Sequence, residues 1–284
     1  MKKLLLSLSA LLLLAALVFT GIYFTRFQSM AALQKITDYS DGYNLYRMDI
    51  RYRYSLNDLL ARGITDDQSM VDAILEEALP LLPVTIQAPS FGCTAFAVVE
   101  QDGTACMGRN YDFRYDTSAM VVYCSPQDSY RSVAFAALDN IQANTPEQSL
   151  KTRLATLTAP FICLDGMNEK GVSIAVLTLD SEPTYQQTGK PTITPTLAIR
   201  LVLDHAATTA EAVALLREYD ITFTSPMPVE MGVWWNMTAM IPPVPWWIPP
   251  RQPPPTSTRS TLIGSNPTSE TVSTAMAGNA TILY

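Results

Sequence analysis

The stretch that decides the fold is GCTAFAVVEQDGTACMGRNYDF, Gly92 to Phe113. Two apolar runs in it are typical of strands. The Asp102-Gly103 pair between them predicts a β-hairpin with a two-residue turn, because both residues tolerate positive backbone angles. Cys93 opens the first run, so it is either a core residue that begins a hairpin or a nucleophile placed there for chemistry.

The chain that follows predicts more strands and then helices. The runs AMVVYCS, RSVAFAAL and VSIAVLTL are typical of strands, several of them buried on both faces. Two helices come next, TPTLAIRLVLDHA and TTAEAVALLREY, and the second opens with the capping box Thr208-x-x-Glu211. This order of elements predicts an α+β or layered domain over residues 93–225.

The amino-terminal residues 1–26 predict a membrane helix. Lys2 and Lys3 precede an uninterrupted apolar run from Leu4 to Phe24, which Arg26 closes. The run is long enough to cross a bilayer of about 30 Å at about 1.5 Å per residue. Because no small-x-small cleavage site follows, we favour an uncleaved anchor over a cleaved signal peptide, with the lysines cytoplasmic. The remainder is then extracytoplasmic at the cell surface, or secreted if the segment is cleaved.

Residues 27–92 are expected to be mostly helical. SLNDLLARGI and DDQSMVDAILEEALPLL carry apolar residues at three- and four-residue spacing, and Asp66 or Asp67 is a suitable N-cap. We interpret this segment as a pro-segment that joins the anchor to the next domain.

Composition excludes several classes of protein. A net charge of -7 argues against a nucleic-acid-binding surface, which needs clustered Lys and Arg. No zinc motif, P-loop, G-x-G-x-x-G or G-x-S-x-G occurs, so we expect neither metal nor cofactor. Three cysteines, Cys106, Cys124 and Cys163, lie in apolar runs and are expected to be buried thiols rather than a disulfide framework. The expected partner is a small molecule, and an oligomer is possible.

The chain has one histidine, which limits the available nucleophilic chemistry. His205 lies near the carboxyl end of a predicted helix, where an imidazole commonly has a structural role. A nucleophile must then find its base elsewhere. If the Gly92-Cys93 bond is cut, the freed α-amine of Cys93 titrates at about 7.7–8.0 and can accept and return a proton.

Three motifs together, GCTAFAV, GRNYDF and the later DGMNEKGVSIAVL, resemble those of the choloylglycine hydrolase or linear amide C–N hydrolase family. This family of N-terminal-nucleophile enzymes includes bile salt hydrolases, penicillin V acylases and acid amidase relatives. The resemblance extends from about Cys93 to Ile221. It implies an αββα sandwich of two antiparallel sheets between helices, activated by autoproteolysis at Gly92-Cys93.

The resemblance also implies roles for single residues. Cys93 matches the nucleophile, whose freed amine is the base. Arg109 matches an Arg that stabilises the thiolate and contacts substrate, and a nearby guanidinium does lower a thiol pKa. Asp112 matches an Asp that holds the amine and nucleophile. The alternative for Arg109 and Asp112 is a surface ion pair at the end of the hairpin.

Other positions in the motifs carry supporting roles or depart from the family. Asn110 is expected to support the turn, and the NEKG motif, residues 168–171, to be a scaffold turn leading into a strand. Where relatives have an oxyanion-site Asn or Tyr, this chain has Thr178, whose hydroxyl is not equivalent. A later Asn and a late Arg of the family are not found, because the candidates in the tail lack the matching context: Asn236, Asn266, Asn279, Arg251 and Arg259.

Residues 226–284 form a tail of different composition. It holds all four Trp and more than half of the 20 Pro, and it has no Lys. It predicts a disordered Pro-rich tail, although such tails are usually poor in Trp. Our hypothesis is that the tail is a frameshifted reading of the missing half-sheet, so that the sandwich is incomplete at its C-terminus. A gene whose adjacent frame lacks family-like sequence would contradict it.

The function that these residues favour is hydrolysis of linear amide C–N bonds through Cys93. Bile-salt, N-acyl amino acid and penicillin-type amides are the candidate substrates, with a lactone as a further one. An acyltransferase of the same fold and a catalytically inactive, truncated family member are the alternatives. A Pro-rich interaction protein that docks through PPVP or QPPP is a third.

Overall fold

The computed structural model of the 284-residue chain describes residues 2–84, 93–99, 105–111, 116–126, 128–176, 178–179, 186–221, 230–231 and 281–283. For Cys93–Val99 and several other residues it describes the backbone only. The described helices are α1 Lys2–Ala31, α2 Leu56–Ala61, α3 Asp67–Ala78, α4 Leu150–Ala155, α5 Pro195–His205 and α6 Thr209–Leu216, with two 3-10 helices, Leu138–Ile141 and Thr156–Phe161.

The described strands are β1 Gln34–Lys35, β2 Leu45–Ile50, β3 Cys93–Val99, β4 Ala105–Tyr111, β5 Ala119–Cys124, β6 Ser132–Ala137, β7 Cys163–Asn168, β8 Ser173–Ala175, β9 Thr178–Leu179, β10 Thr192–Ile193, β11 Asp220–Ile221, β12 Glu230–Met231 and β13 Thr281–Leu283.

The largest sheet has six strands in the order β1-β2-β5-β6-β7-β8. Its pairs are antiparallel except for β2 and β5, which run parallel over six residues from Leu45 opposite Ala119 to Ile50 opposite Cys124. In β2, in β5 and in β6 up to Ala136, burial alternates from residue to residue, as expected for strands with one fully covered face.

Helices cover one face of this sheet. α5 is buried along its whole length except at His205, and it packs on β7 and β8. The sheet residues of this face form a single apolar core with α3 and α5, which includes Met120, Val122 and Ala134. The opposite face carries partly exposed side chains such as Val121 and Phe135. Arg109 of the β3–β4 hairpin contacts this face at Asp165, which lies opposite Phe135.

The segment 27–92 differs from the helical pro-segment that its spacing predicts. α2 and α3 form as predicted, and Asp66 is the N-cap of α3, accepting from the Ser69 amide at 2.7 Å. However, β1 and β2 lie in the six-stranded sheet, with Tyr46 and Met48 buried in it. In LYRMDI, the sequence of β2, buried and partly exposed residues alternate, as in a strand with one covered face. Strands β1 and β2 of this segment therefore share one sheet with strands that follow Cys93.

Helix α1 extends past Arg26, where the predicted anchor ends, and its last turns belong to the domain. Tyr23, Ser29 and Met30 are buried, and Arg26 is 8% exposed. Among the described residues, α1 is the one helix that is long and apolar enough to cross a membrane, with a mean hydropathy of 2.2 over a window of 18 residues within Leu6–Ala31.

Short strands of the tail pair with the domain. β12 is antiparallel to β9, and β13 is antiparallel to β4, which gives a three-stranded sheet in the order β13-β4-β3. The Pro-rich and Trp-rich residues between β12 and β13 lie outside the described residues, so the predicted disorder and the frameshift hypothesis stay predictions.

Candidate active site

The hairpin that opens the site forms as the sequence predicts, with β3 antiparallel to β4. Cys93 lies opposite Tyr111, Ala95 opposite Arg109 and Val99 opposite Ala105, so the ladder is centred on position 102. A regular two-residue turn at Asp102-Gly103 would centre it between 102 and 103 and place Cys93 opposite Asp112. The described ladder therefore differs by one residue from that of an unbulged two-residue turn, and the predicted Asp102-Gly103 turn itself is not among the described residues. Residues 100–104 lie outside the described part.

This register decides which residues share a face of the hairpin. Directly opposed residues of an antiparallel pair lie on the same face, and so do residues two apart along a strand. Positions 93, 95, 109 and 111 are therefore on one face. In the register of an unbulged two-residue turn at Asp102-Gly103, Cys93 and Arg109 would be on opposite faces, because a one-residue shift moves a strand's side chains to the other side.

Arg109 crosses from the hairpin to the six-stranded sheet. It is 1% exposed, its Nε lies 3.2 Å from Asp165 Oδ2, and its Nη2 donates to the Val176 carbonyl at 3.3 Å. The guanidinium is thus held at two of its edges by groups of β7 and of the residue after β8. Arg109 does form an ion pair, but a buried one with Asp165 and not one on the surface.

Asp165 is the site residue that the sequence analysis misses. It is 0% exposed and lies on β7, opposite Phe135 of β6 and Ala175 of β8. A signal for it exists, since an acidic residue follows the apolar run APFICL. A buried carboxylate needs a partner of opposite charge, and the sequence alone does not say that Arg109 is that partner.

The next residue, Gly166, explains the second residue of the DGMNEKG motif. Neighbouring strand residues face opposite sides, so Gly166 lies on the helix side of the sheet, where a Cβ would stand 2.7 Å from Leu203 Cδ1 and 2.8 Å from the Val133 carbonyl oxygen. Glycine lets α5 approach β7 closely while Asp165 lies toward the hairpin.

Asn168 anchors the turn of the NEKG motif, the role that the sequence predicts. Its Nδ2 donates to the carbonyls of Leu203 and Ala206 at 3.1 and 2.7 Å. Its Oδ1 accepts from the amides of Lys170 and Val172 at 3.0 and 3.1 Å. All four bonds tie the turn to itself or to the end of α5, which fits a scaffold.

The other predicted site residues are described only in part. Thr178 begins β9, two residues after Val176, whose carbonyl holds Arg109. Its side chain and that of Asn110 are not among the described side chains, and Gly92 and Asp112 lie outside the described residues. The structure therefore brings Cys93, Arg109 and the strand end before Thr178 to one region. It does not describe the cleavage site or the predicted amine-holding Asp112.

Two further cysteines lie in the core as predicted. Cys124 and Cys163 are buried free thiols, and burial raises the pKa of each. A thiol with a raised pKa is a poor nucleophile at neutral pH. Neither one competes with Cys93 as the candidate.

A second buried ion pair lies beside Cys124. Arg200 Nη2 is 2.6 Å from Asp204 Oδ1 and donates to the Ser132 hydroxyl at 2.7 Å. Both charged side chains are at most 1% exposed, and Tyr54 donates to the same carboxylate oxygen at 3.2 Å. This pair ties α5 to β6 on the helix side of the sheet, away from the face of Asp165.

A pocket of about 420 Å³ opens at the ends of β2, β5 and the start of β6. Among the described side chains, its lining includes Arg51, Arg131, Ser125 and Ser132, and Arg109 is not part of it. We do not assign the site to it, because the Arg109–Asp165 pair lies farther along β6 and β7 than the described lining residues.

Comparisons with known proteins give an independent assignment. The model of the family "Linear amide C-N hydrolases, choloylglycine hydrolase family" matches residues 93–238, just over half of the chain. The match starts at Cys93 and continues past Ser225, where we place the start of the tail. No curated protein matches the chain.

Among the solved structures that match is a mutant of the conjugated bile acid hydrolase from Clostridium perfringens, at 20% sequence identity and a TM-score of 0.32. That similarity covers 45% of this chain and 39% of the hydrolase chain. The family match, over a region that contains the hairpin, the Asp165 motif and both following helices, identifies the chain. It belongs to the choloylglycine hydrolase family of linear amide C–N hydrolases.

Proposed function

We propose that the chain is an amidase that uses Cys93 as its nucleophile after cleavage of the Gly92-Cys93 bond. The observation that carries the proposal is the register of the hairpin, which puts position 93 and the buried Arg109 on one face. The start of the family match at Cys93 supports it further.

Cleavage would supply both the nucleophile and the base. The α-amine that it frees has an ordinary pKa of about 7.7–8.0, close to neutral pH. It lies on the same residue as the thiol, so no histidine is needed. This agrees with the position of His205 at the end of α5, on the helix layer.

The proposed reaction has two steps. The Cys93 thiolate attacks the amide carbonyl, the C–N bond breaks, and the leaving amine takes a proton from the α-ammonium group, which leaves a thioester. A water molecule then attacks the thioester while the α-amine takes its proton. The C–S bond breaks and the acid product leaves, which restores the thiolate and the α-ammonium group of the starting state.

Arg109 is proposed to favour the thiolate form. A guanidinium close to a thiol lowers the thiol pKa, and Arg109 is fixed on the face that carries position 93. Arg109 is almost fully buried and is held by Asp165 and the Val176 carbonyl, so only a substrate atom beside position 93 would reach it. Asp112 would hold the amine, as the family resemblance implies.

The chain around Thr178 is proposed to face the developing oxyanion. It follows the segment that holds Arg109, and a hydroxyl there can donate a hydrogen bond. The loss of one oxyanion donor typically lowers the rate by about 10² to 10³, so a slow enzyme is expected where relatives have a different donor.

We further propose that α1 anchors this enzyme in a membrane. Its first two thirds are apolar and exposed to solvent in the protein alone, as with Leu11, Leu12 and Leu13, each more than 60% exposed. Leucine side chains exposed to water over such a length are energetically unfavourable, and insertion into a bilayer would remove this apolar surface from water.

Intact mass and turnover test the proposed function together. The purified chain should yield a fragment that begins at Cys93, and it should hydrolyse members of a panel of conjugated bile acids, N-acyl amino acids and penicillin-type amides. Cys93→Ala should abolish both. An uncut wild-type chain without turnover would indicate an inactive family member, and acyl transfer to added amines in preference to water would indicate the acyltransferase.

A further inference from the structure

Helix α1 has two halves of different character. From Leu6 to Val18 its apolar side chains are exposed, at 70% for Leu6 and 52% for Val18. From Tyr23 onward one side is buried in the domain. Tyr23 is 0% exposed, and its hydroxyl donates to the Pro80 carbonyl.

The border between these halves coincides with the end of a membrane span of ordinary length. A bilayer core of about 30 Å takes about 20 helical residues. Counted from Leu4, directly after the two lysines, such a span ends near Tyr23. The domain therefore makes its first contact with α1 where the helix leaves the hydrocarbon, and no linker separates the two.

The turn after α3, at Pro80 and Leu81, lies beside a part of α1 that precedes Tyr23. Side chains of a helix point toward its N-terminus, so a group that Tyr23 touches lies beside the preceding turn. The Pro80 carbonyl is that group. Leu81, next in the chain, is 77% exposed, the highest exposure among the large apolar side chains that the structure describes, and its φ is +69°.

Arg26 fixes the angle at which the helix enters the domain. Its Nε donates to the Ala78 carbonyl and its Nη2 to the Glu77 carbonyl, both at 2.7 Å. It thus binds the C-terminal carbonyls of α3, where a cation is favoured. Two exposed aromatic residues, Phe24 at 57% and Phe27 at 48%, lie on the same helical turns, and aromatic residues are enriched where a helix crosses the membrane surface.

We propose that the domain lies directly on a lipid bilayer and that Leu81 inserts into the bilayer interface beside α1, with Phe24 and Phe27 at the same surface. The inference rests on the proposed anchor and is independent of the amidase chemistry. The partner is the lipid surface, since the exposed half of α1 leads into this patch without a break.

Hydroxyl-radical footprinting of the wild-type chain tests the contact without any substitution. The chain is reconstituted in phosphatidylcholine vesicles, and radiolysis forms radicals in the water on both sides. Leu150 is the matched control, because it is also an exposed leucine, at 66%. It begins α4, whose Arg153 contacts Met30 at the end of α1 away from the span.

We expect Leu81 to be oxidised about fivefold less than Leu150, since a side chain about 5–10 Å into the interface is shielded from water. Leu11–Leu14 should be shielded in the same sample. Shielded Leu11–Leu14 with equal oxidation of Leu81 and Leu150 would overturn the contact and leave the anchor standing. Equal oxidation of all three sites would overturn the anchor and the contact together, whatever the amidase assay shows.

Discussion

Arg109 is a charged side chain removed from water, and its energetics depend on Asp165. Burial of one charge costs several kcal/mol even after relaxation, and a buried partner in good geometry offsets about as much. The pair is thus a weak source of stability while it is intact. The loss of either partner leaves an uncompensated charge between the two sheets.

Asp165→Asn should therefore reduce stability and catalysis together. We expect a loss of about 3–5 kcal/mol in the free energy of unfolding, the usual range for a broken buried pair. Turnover per folded molecule should fall by about tenfold to a hundredfold, because a guanidinium displaced by about 1 Å is enough for such a loss. Urea unfolding and amide hydrolysis measure the two effects.

Asp204→Asn is the control for that variant. It breaks a buried Arg–Asp pair of the same type with Arg200, on the helix side of the sheet. A similar loss of stability with unchanged turnover per folded molecule is expected. If both variants lost turnover alike, Asp165 would have no particular connection with the site.

Asp220 gives a pH dependence of stability. Its carboxylate accepts from the hydroxyl and amide of Thr188 at 2.6 and 2.7 Å, and these bonds, led by that of the hydroxyl, lower its pKa. A lowered folded-state pKa stabilises the fold above the unfolded-state value of about 3.9 and loses this effect as the pH falls through the folded-state value.

Asp220→Asn should accordingly melt at a lower temperature than the wild type at pH 7, and the difference should shrink below about pH 4. Thermal unfolding across that range measures it. Asp128→Asn, at an exposed position, should show no such trend. A difference between Asp220→Asn and wild type that stays constant with pH would show that the carboxylate charge is not involved.

At the scale of elements, the contact of α5 with β7 depends on Gly166. A methyl group there meets the Val133 backbone oxygen at 2.8 Å as well as a side chain, and backbone cannot move aside at low cost. Gly166→Ala should lower the free energy of unfolding by about 1–3 kcal/mol, as overpacking does. Gly21→Ala is the control, since nothing lies within 4 Å of that position; equal effects of the two would refute the packing explanation.

Strand β2 leads to a prediction about the cleaved protein. It lies inside the six-stranded sheet, between β1 and β5, and Tyr46 and Met48 are almost fully buried. If the chain is cut at Gly92-Cys93, the two pieces should stay together, because the backbone hydrogen bonds and core contacts of β2 remain. Gel filtration without denaturant measures this, and separate elution of the pieces would contradict it.

Local features of these elements were predictable from the sequence, and long-range pairings were not. Some features depend mainly on residues close by in the chain, so the sequence predicts them: the caps at Asp66 and Thr208, the hairpin, α5 and the Asn168 turn. The parallel pairing of β2 with β5 and the partnership of Arg109 with Asp165 join residues far apart in the chain. The Asp102-Gly103 pair predicts that a hairpin forms, but it does not determine the number of loop residues between the paired strands. The register of the ladder therefore could not be predicted from it.

For the whole molecule, the joined helix and domain limit where the anchor can be removed. A chain that starts at Leu33 would lose Arg26 and Tyr23 and leave the Glu77 and Ala78 carbonyls without these donors. A chain that starts at Ile22 keeps them. We expect the shorter chain to melt about 2–8 °C lower than the longer one, as a loss of about 1–2 kcal/mol implies, and equal melting curves would contradict the role of these turns.

The pairing of β2 with β5 also bears on how the protein is made. Before cleavage the two strands belong to one chain, and their meeting is an intramolecular event that depends only on closing a long loop. After cleavage, the same meeting would be a collision of two molecules and would slow down on dilution. The intact precursor would then fold readily, whereas a mature two-chain enzyme that unfolds at low concentration would not refold. The lifetime of the mature enzyme would therefore be set by its rate of unfolding.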